Sequence, residues 1–427
     1  MLLVFDAGMP ARAVCAIAFA LVTGQAFGAP LTLEEALRIA EDANPAIRNA
    51  RAAIHAAEGQ LSESRALLFN NPEVSLEQSR TRIPSGAAPG ERFNAWTAGI
   101  SQSFELGGQQ GQRRLAAEAE IAAIAANIAE TRATLRAEVE QRFVQVLALQ
   151  LRAAVEQETV SLVEQASAAM TKRLNEGEVS RLDANLARVE VERARNQLVQ
   201  LDELLTQARA ELATLLQLPP GELPEARGEL RRDAAYTLEE LLQAAPRRRQ
   251  LETLAKREEA ARSRLELERG ARYPDVTVGL FTGRDGPPEM RENIVGLSVS
   301  VPLPLFRRNE AGVGRALTEL TQVQVERQAA ERDVGAAVRA QWQRLGQLQA
   351  RASRLRESVL KTLEDNQRLS QRALSEGEIG VAELLLVNRQ VAETRRELLE
   401  AETELRQARI VLERAAGWPP LDSKESR

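Results

Sequence analysis

The sequence contains few aromatic residues, one histidine and one cysteine. Aromatic residues make up 3% of the 427 positions. Cys15 falls within a predicted N-terminal signal, so the mature chain would have no cysteine, which excludes disulfides and thiolate chemistry. His55 lies in a helical segment and is interpreted as a structural or exposed residue rather than a metal ligand. No nucleotide-binding loop or nucleophile motif is found, so we expect no enzyme activity, no cofactor and no metal site.

Excess charge and long apolar runs are also scarce. The formal net charge is −5, which leaves no basic footprint for nucleic acid, and the local run Arg247-Arg248-Arg249 is interpreted as a solvated face. Beyond the N-terminal signal no apolar run reaches the roughly 18 residues that a membrane-spanning helix requires.

Residues 1–28 have the pattern of a secretory signal peptide. Arg12 supplies positive charge before an apolar stretch, and Ala26-Phe27-Gly28 forms a small-x-small cleavage signal. Whether translation starts at Met1 or Met9 stays open. An exported chain without membrane helices is periplasmic, secreted, or held in the outer membrane by strands.

The second half of the chain repeats the first at a spacing of 200 residues. Three short motifs recur at this spacing: Glu176-Gly177-Glu178 and Glu376-Gly377-Glu378, Gln207-Ala208-Arg209 and Gln407-Ala408-Arg409, and Pro219-Pro220 and Pro419-Pro420. A repeat of this length indicates a duplicated structural module. We therefore divide the mature chain into repeats 29–220 and 221–420, followed by a tail at 421–427.

Four segments of alternating polarity predict β-strands, at about 73–83, 96–105, 274–283 and 293–303, with a loop at 84–94 between the first two. Their length of about ten residues is typical of outer-membrane strands. The alternative, two ordinary hairpins packed on helices, stays open on pattern alone. Seven aromatics lie in or beside the strand pairs, as interfacial girdles require: Phe69, Phe93, Trp96, Phe104, Tyr273, Phe281 and Phe306. Four strands cannot close a barrel, so we expect the chain to oligomerise.

Long tracts rich in Ala, Leu, Glu, Arg and Gln predict coiled-coil helices. Two helical hairpins are predicted, at 109–217 with a tip at 175–180 and at 310–416 with a tip at 375–380. Each descending helix would be about 100 Å long at 1.5 Å per residue. The first descending helix nearly matches in length its return helix plus the proline-started helix 246–270. The second nearly matches its return helix plus the proline-started helix 45–70. We therefore expect each long helix to run beside two stacked shorter ones. The predicted fold is mainly α, with a transmembrane β part.

Two stretches where strands meet helices resemble a known family. They are QSFELGGQQGQRR (102–114) and SVPLPLFRRNEAG (300–312), accompanied by the tips RLNEGEVSRLD and RALSEGEIGVAEL. The mature chain resembles the TolC-type outer-membrane efflux proteins, in the branch serving cobalt/zinc/cadmium resistance pumps. The resemblance implies a homotrimer with a 12-stranded barrel in outer-membrane lipid above a periplasmic helical tunnel. It also implies two partners, a periplasmic adaptor and a proton-driven inner-membrane pump of the RND type.

The resemblance further assigns roles at the tips. Glu383 and its first-half counterpart Asp183 would line the periplasmic aperture, although Leu386 stands where TolC has a second acid. The alternative for Glu383, an ordinary surface glutamate, stays open. Six residues at the tips would contact the adaptor: Arg173, Gly177, Glu178, Arg372, Gly377 and Glu378. The glycines could also serve turn formation alone.

The predicted function is a passive exit duct for heavy-metal cations. Drug efflux and type I protein secretion use the same fold and remain alternatives. A periplasmic adaptor or a structural coiled-coil protein is a more distant alternative.

Overall fold

The computed structural model describes residues 30–85, 88–232 and 235–419. The predicted signal peptide, the tail 421–427 and Pro420 lie outside the described residues. The strands are β1 (Glu73–Ser85), β2 (Ala88–Phe104), β3 (Val276–Asp285) and β4 (Glu292–Ser300). The helices are α1 (Leu33–Ala43), α2 (Pro45–Ser64), α3 (Gln109–Asn175), α4 (Arg181–Leu216), α5 (Leu238–Ala244), α6 (Arg249–Gly270), α7 (Glu310–Arg354), α8 (Lys361–Glu376) and α9 (Val381–Ala416). The mainly helical fold with four strands confirms the predicted class.

The same N-terminal cap opens the first helix of each repeat. Thr32 accepts a hydrogen bond from the Glu35 backbone N–H, and the Glu35 carboxylate accepts one in return from the Thr32 backbone N–H. Thr237 and Glu240 form the same capping box at α5. Each box satisfies backbone donors that a helix start otherwise leaves unpaired.

One long helix runs the length of each repeat. The first is α3, continuous over 67 residues, or about 100 Å at 1.5 Å per residue. The second consists of α7 and α8, joined without a break by a π-helical turn at Leu355–Leu360. Towards the tips, α3 packs against α4 and α9; towards the sheet, it packs against α2 and α6.

The packing of α2 corrects one expectation. The helix lengths predict α2 beside the long helix of the second repeat. Within the chain α2 instead packs on α3, and α6 lies between α3 and α7. The helical layer towards the sheet therefore runs in the order α2, α3, α6, α7. In one chain, α2 and α7 lie at opposite edges of this layer.

The apolar core lies where the return helices pass the long helices. Leu212 on α4 and Leu412 on α9 occupy equivalent positions of the two repeats, and both are completely buried. Leu212 packs in a cluster with Val139 and Phe143 of α3. Leu412 packs in a second cluster with Val338 of α7, and Trp342 packs against this cluster. Both repeats thus bury the equivalent leucine against one face of their long helix, as a heptad seam requires, and the first cluster also includes Ile410 of α9.

The four strands form one antiparallel sheet in the order β1-β2-β3-β4. The first hairpin is longer than predicted: pairing continues from Thr81 opposite Phe93 to Ser85 opposite Ala88, across residues expected to form a loop. The register shifts between Ile83 and Ser85. Proline at position 84 explains the shift, because it has no N–H to give to a ladder.

Two predicted helix boundaries also move. The first proline-started helix, α2, ends at Ser64 instead of about residue 70. At this end the Ser64 hydroxyl donates a hydrogen bond to the Leu61 carbonyl. In the second repeat, Pro246 belongs to a short 3₁₀ turn and α6 begins at Arg249. The extended backbone of Arg248, at ψ 146°, separates the two.

Candidate functional site

Both helical hairpins turn on a glycine in the left-handed conformation. Gly177 has φ +80° and Gly377 has φ +77°. At the first tip, the Glu178 N–H donates to the Arg173 carbonyl at 2.9 Å, and the Gly177 N–H donates to the Leu174 carbonyl. The second tip repeats both bonds from Glu378 and Gly377. This is the Schellman arrangement, in which glycine avoids the steric cost that a Cβ would meet.

The two tips differ in charge pairing. Arg173 lies 3.8 Å from the Glu178 carboxylate, so the first tip carries an ion pair. The second tip has Ala373 at the equivalent position and cannot form it. Arg372, Glu378 and Gly377 are exposed, and within the described part of the chain the guanidinium of Arg372 forms no ion pair. The second tip therefore presents unpaired charge to its surroundings.

A small apolar cluster packs the two tips against each other. Met170 of α3 and Ala187 of α4 are buried, and Leu374 and Leu385 of the second hairpin pack against them. The sequence reasoning treated the tips separately and did not identify this contact. In the sequence, this contact is indicated only by the apolar residues at these few positions among charged neighbours.

Asp183 and Glu383 occupy equivalent positions in the first turns of α4 and α9, but their surroundings differ. The Ser180 hydroxyl donates to the Asp183 carboxylate at 2.7 Å and caps α4 by accepting from the Asp183 N–H. In the second repeat the cap residue is Gly380, which has no side chain to do this. Glu383 is exposed, and no described side chain hydrogen-bonds to its carboxylate. Glu383 is thus free to respond to solvent ions, whereas Asp183 is held.

A cluster of ion pairs joins the two hairpins farther from the tips, and we call it the Arg395–Arg396 clasp. Arg396 of α9 donates from two nitrogens to the two oxygens of Glu156 on α3 and contacts Gln197 of α4 at 3.1 Å. Arg395 pairs with Glu158 of α3 at 3.1 Å. The Glu156 side chain is only 3% exposed. The clasp ties the second return helix to both helices of the first hairpin.

Only part of the clasp is duplicated. Arg395 pairs with Glu364 of its own hairpin at 3.1 Å, and the equivalent first-repeat residues, Arg195 and Glu164, pair at 2.7 Å. Arg396, in contrast, corresponds to Asn196. The sequence reasoning missed Arg396, although its difference from Asn196 across the repeat could have marked it.

The sheet has one apolar and one polar face. Cross-strand pairing aligns Val74, Ile100, Leu280 and Leu297 in one row, and all four are more than half exposed. The opposite face carries Ser101, Gly279 and Ser298 in register, and the Ser103 and Thr277 hydroxyls hydrogen-bond at 2.7 Å. Phe93 and Phe281 lie on this polar face, so these two predicted girdle residues do not share a face with Trp96 and Phe104.

Within the described ranges no cluster of three or more His, Cys, Asp or Glu side chains is arranged to hold a metal ion. The side chain of His55 is 80% exposed and lies 3.5 Å from Glu58. None of the described helices combines the length and apolarity needed to cross a bilayer.

A family model described as outer membrane efflux protein matches the chain twice, over residues 36–217 and 241–418. The chain belongs to the outer membrane efflux protein family. The two matches coincide with the two repeats, so each half of the chain carries one copy of the family's module.

Individual relatives agree with this assignment. The cobalt-zinc-cadmium resistance protein CzcC of Cupriavidus metallidurans is 30% identical over 298 residues, covering 70% of this chain and 68% of the relative. The CmeC outer membrane channel of Campylobacter jejuni has a similar fold, with a TM-score of 0.72, 12% identity, and coverage of 97% and 93% of the two chains. VceC, an outer membrane protein of Vibrio cholerae, has a TM-score of 0.70 at 17% identity, covering 90% and 96%.

Family membership places this efflux protein in the outer membrane, with its helical part in the periplasm. The sheet, with its exposed apolar face, is the part suited to lipid. The hairpin tips lie at the opposite end of the long helices from the sheet.

The motifs that carry the family resemblance lie where strands pass into long helices. Arg113 donates to both carboxylate oxygens of Glu105 and stacks over the Phe69 ring at 3.4 Å from its centroid. Gly107 lies so close to Gly270 that an added Cβ would come within 2.6 Å of the Gly270 carbonyl oxygen. These residues fix the sharp change of direction between the sheet and α3.

Proposed function

We propose that this chain is the exit duct of a tripartite efflux system that exports heavy-metal cations such as cobalt, zinc or cadmium. The observation that carries the proposal is the 30% identity to CzcC across both repeats, over 70% of the chain. We expect the duct to be passive, with transport driven by an RND-type pump in the inner membrane.

We propose further that three chains close the duct. The free edges of β1 and β4 support this, because an open sheet edge cannot remain unpaired in a bilayer. Four alternating strands leave these two edges antiparallel, so β4 of one copy can pair with β1 of the next. Three copies give twelve strands and place α7 of one copy beside α2 of another.

The helical layers support the same assembly. Exposed apolar residues lie on α4, at Leu182, Leu186 and Leu204, and on the long helix at the other edge of the layer, at Leu317, Val325 and Leu369. Burial of such positions between copies would stabilise the assembly through the hydrophobic effect, without a covalent link between the chains.

The tips are the proposed contact with a periplasmic adaptor, through Arg173, Gly177, Glu178, Arg372, Gly377 and Glu378. We propose that the Glu383 carboxylates of the three chains form a ring at the periplasmic aperture. Asp183 has a lesser role there, because its carboxylate already accepts a hydrogen bond from the Ser180 hydroxyl. Three exposed Glu383 carboxylates around one axis would concentrate cations at the entrance. Weak attraction of this kind permits conduction, which tight coordination would prevent.

The cargo can be tested in the host by deleting the gene and measuring growth on cobalt, zinc, cadmium and copper salts and on a panel of drugs. We expect sensitivity to one or more of the metals, restored by the intact gene. Unchanged metal tolerance together with increased drug sensitivity would instead indicate a drug-efflux duct. A defect in export of a protein would indicate type I secretion.

A further inference from the structure

An arginine-lined cavity of about 180 Å³ lies at mid-height of the helical part, where α9 passes the π-helical turn and the segment before α5. Five arginines line it, Arg231, Arg232, Arg356, Arg406 and Arg409, together with the carboxylates of Glu357 and Glu402. At about 30 Å³ per water molecule, the cavity has room for about six waters. It is far from the tips and from the sheet.

Ion pairs engage several of the arginines at the cavity. Arg356 pairs with Glu402. Glu140 of α3 is shared by Arg406 and, at 3.8 Å, by Arg232. Arg406 thus shares its one carboxylate partner with a second arginine.

Arg406 is buried with part of its guanidinium unpaired. Its side chain is 7% exposed, and Nη2 donates to Glu140. Its Nε and Nη1, and Nε of Arg409, are buried without an acceptor among the described residues. Buried donors of charged groups are costly to leave unpaired, so these three nitrogens point to an acceptor that the described residues do not provide.

The first repeat offers an internal comparison, because α4 and α9 align without gaps at the spacing of 200. The position equivalent to Arg406 is Thr206. Arg209, equivalent to Arg409, pairs with Glu225 at 3.2 Å. Arg406 is therefore specific to the second repeat and is not inherited from the duplication.

The π-helical turn at Leu355–Leu360 supports a specialised site. It places Arg356 and Glu357 on the cavity wall. The first-repeat helix α3 is α-helical throughout. Short π-helical segments are uncommon and often occur at functional sites.

We propose that this cavity binds a small oxyanion of the phosphate class. The planar guanidinium forks of Arg406 and Arg409 match phosphate oxygens in two-point hydrogen bonds. A bound anion would supply acceptors for the unpaired donors and join α9, the π-helical turn and the segment before α5. The bound anion would make the contact among these three elements more rigid. Its binding does not depend on which cargo the duct carries.

Calorimetric titration of the full-length purified oligomer in detergent with inorganic phosphate, at constant ionic strength, tests the proposal. We expect saturable binding of one phosphate per chain. Arg409→Gln should weaken it about tenfold or more, because a charge-assisted donor pair is lost. Arg193→Gln, which removes an exposed arginine of α4, should bind as the wild type does.

Absence of saturable phosphate binding in the wild type would overturn the proposal, as would equal binding by the Arg409→Gln and Arg193→Gln variants. Arg232→Gln is a second variant for the case that Arg409→Gln does not assemble, since the Arg232 side chain is 57% exposed. It should also weaken binding, and wild-type affinity in this variant would count against the site. Sulfate should compete with phosphate, whereas a neutral sugar alcohol should not.

Discussion

Arg396 of α9 and Glu156 of α3 form a two-point ion pair, with Nη2 2.6 Å from Oε2, that joins helices 240 residues apart. Planar two-point pairing is the strongest form of the arginine–carboxylate interaction. Glu156 is almost completely buried, so Arg396 is the partner that compensates its charge. Any movement of the second hairpin away from the first must break the pair.

Arg396→Met should lower the stability of the protein strongly, by about 3 to 5 kcal/mol, because it leaves the buried Glu156 charge uncompensated. Thermal melting of the purified oligomer would measure the loss. The double variant Glu156→Leu/Arg396→Met should recover most of it, since no buried charge remains. Arg193→Met, in which an exposed arginine is removed, is the matched control and should change stability by less than about 1 kcal/mol. Equal melting of Arg396→Met and Arg193→Met would refute the role of the clasp.

Glu383→Gln should reduce the preference of the channel for cations over anions, because the exposed Glu383 carboxylate can act on passing ions. Asp183→Asn is the matched variant and should have the smaller effect, since Ser180 already donates to that carboxylate. Reversal potentials across a planar bilayer under a salt gradient would measure both. A larger shift for Asp183→Asn than for Glu383→Gln would contradict the assignment of the aperture.

Val74→Arg should impair insertion into the outer membrane, because Val74 is 81% exposed on the apolar face of the sheet. Arginine on a lipid-facing strand costs about 2 to 4 kcal/mol near the bilayer midplane. Ser75→Arg, one residue along the same strand, points to the polar face and should insert normally. The amount of each variant in the outer-membrane fraction decides between them; equal amounts would show that the two faces do not differ in their contact with lipid.

Glu413→Gln should alter the pH dependence of stability. Burial raises the pKa of Glu413 above its ordinary value of 4.5, with a further contribution from Glu140. The folded state therefore binds more protons than the unfolded state between 4.5 and the raised value, and stability falls as pH increases through this window. The wild type should lose stability relative to Glu413→Gln as pH rises from 4.5. Melting temperatures from pH 4 to 8 test this, with Glu393→Gln, an exposed glutamate of α9, as control.

The duplicated architecture could be predicted from the sequence because its determinants are local. Alternating polarity defines strands, heptads define hairpins, and glycine at 177 and 377 defines the turns. Proline misled in two places. The sequence predicts a loop from Pro84, yet the ladder continues past it with a register shift. Pro246 is predicted to open a helix, yet it lies in a 3₁₀ turn before α6.

The contacts between hairpins could not be predicted, because they depend on which faces of long helices meet. The sequence does not say that Arg396 faces Glu156, nor that Leu374 and Leu385 pack against Met170. The packing of α2 on α3 could not be predicted either. Helix lengths show which helices together span the same distance, but they do not show which helices are neighbours. A residue-by-residue comparison of the two repeats reduces the number of residues that are candidates for such contacts. Arg396, for example, differs from Asn196 at the equivalent position of the first repeat.

Disulfide cross-linking between the free edges of the sheet tests whether three chains close the duct. The chain has one cysteine, Cys15, within the predicted signal, so introduced pairs can be read without background. One cysteine is placed at positions 74–80 of β1 and one at positions 293–299 of β4, in all combinations, and outer membranes are oxidised. For cysteines in register, we predict a ladder of products that ends at three chains. Monomer alone in every combination, or a ladder ending at a different number, would contradict it.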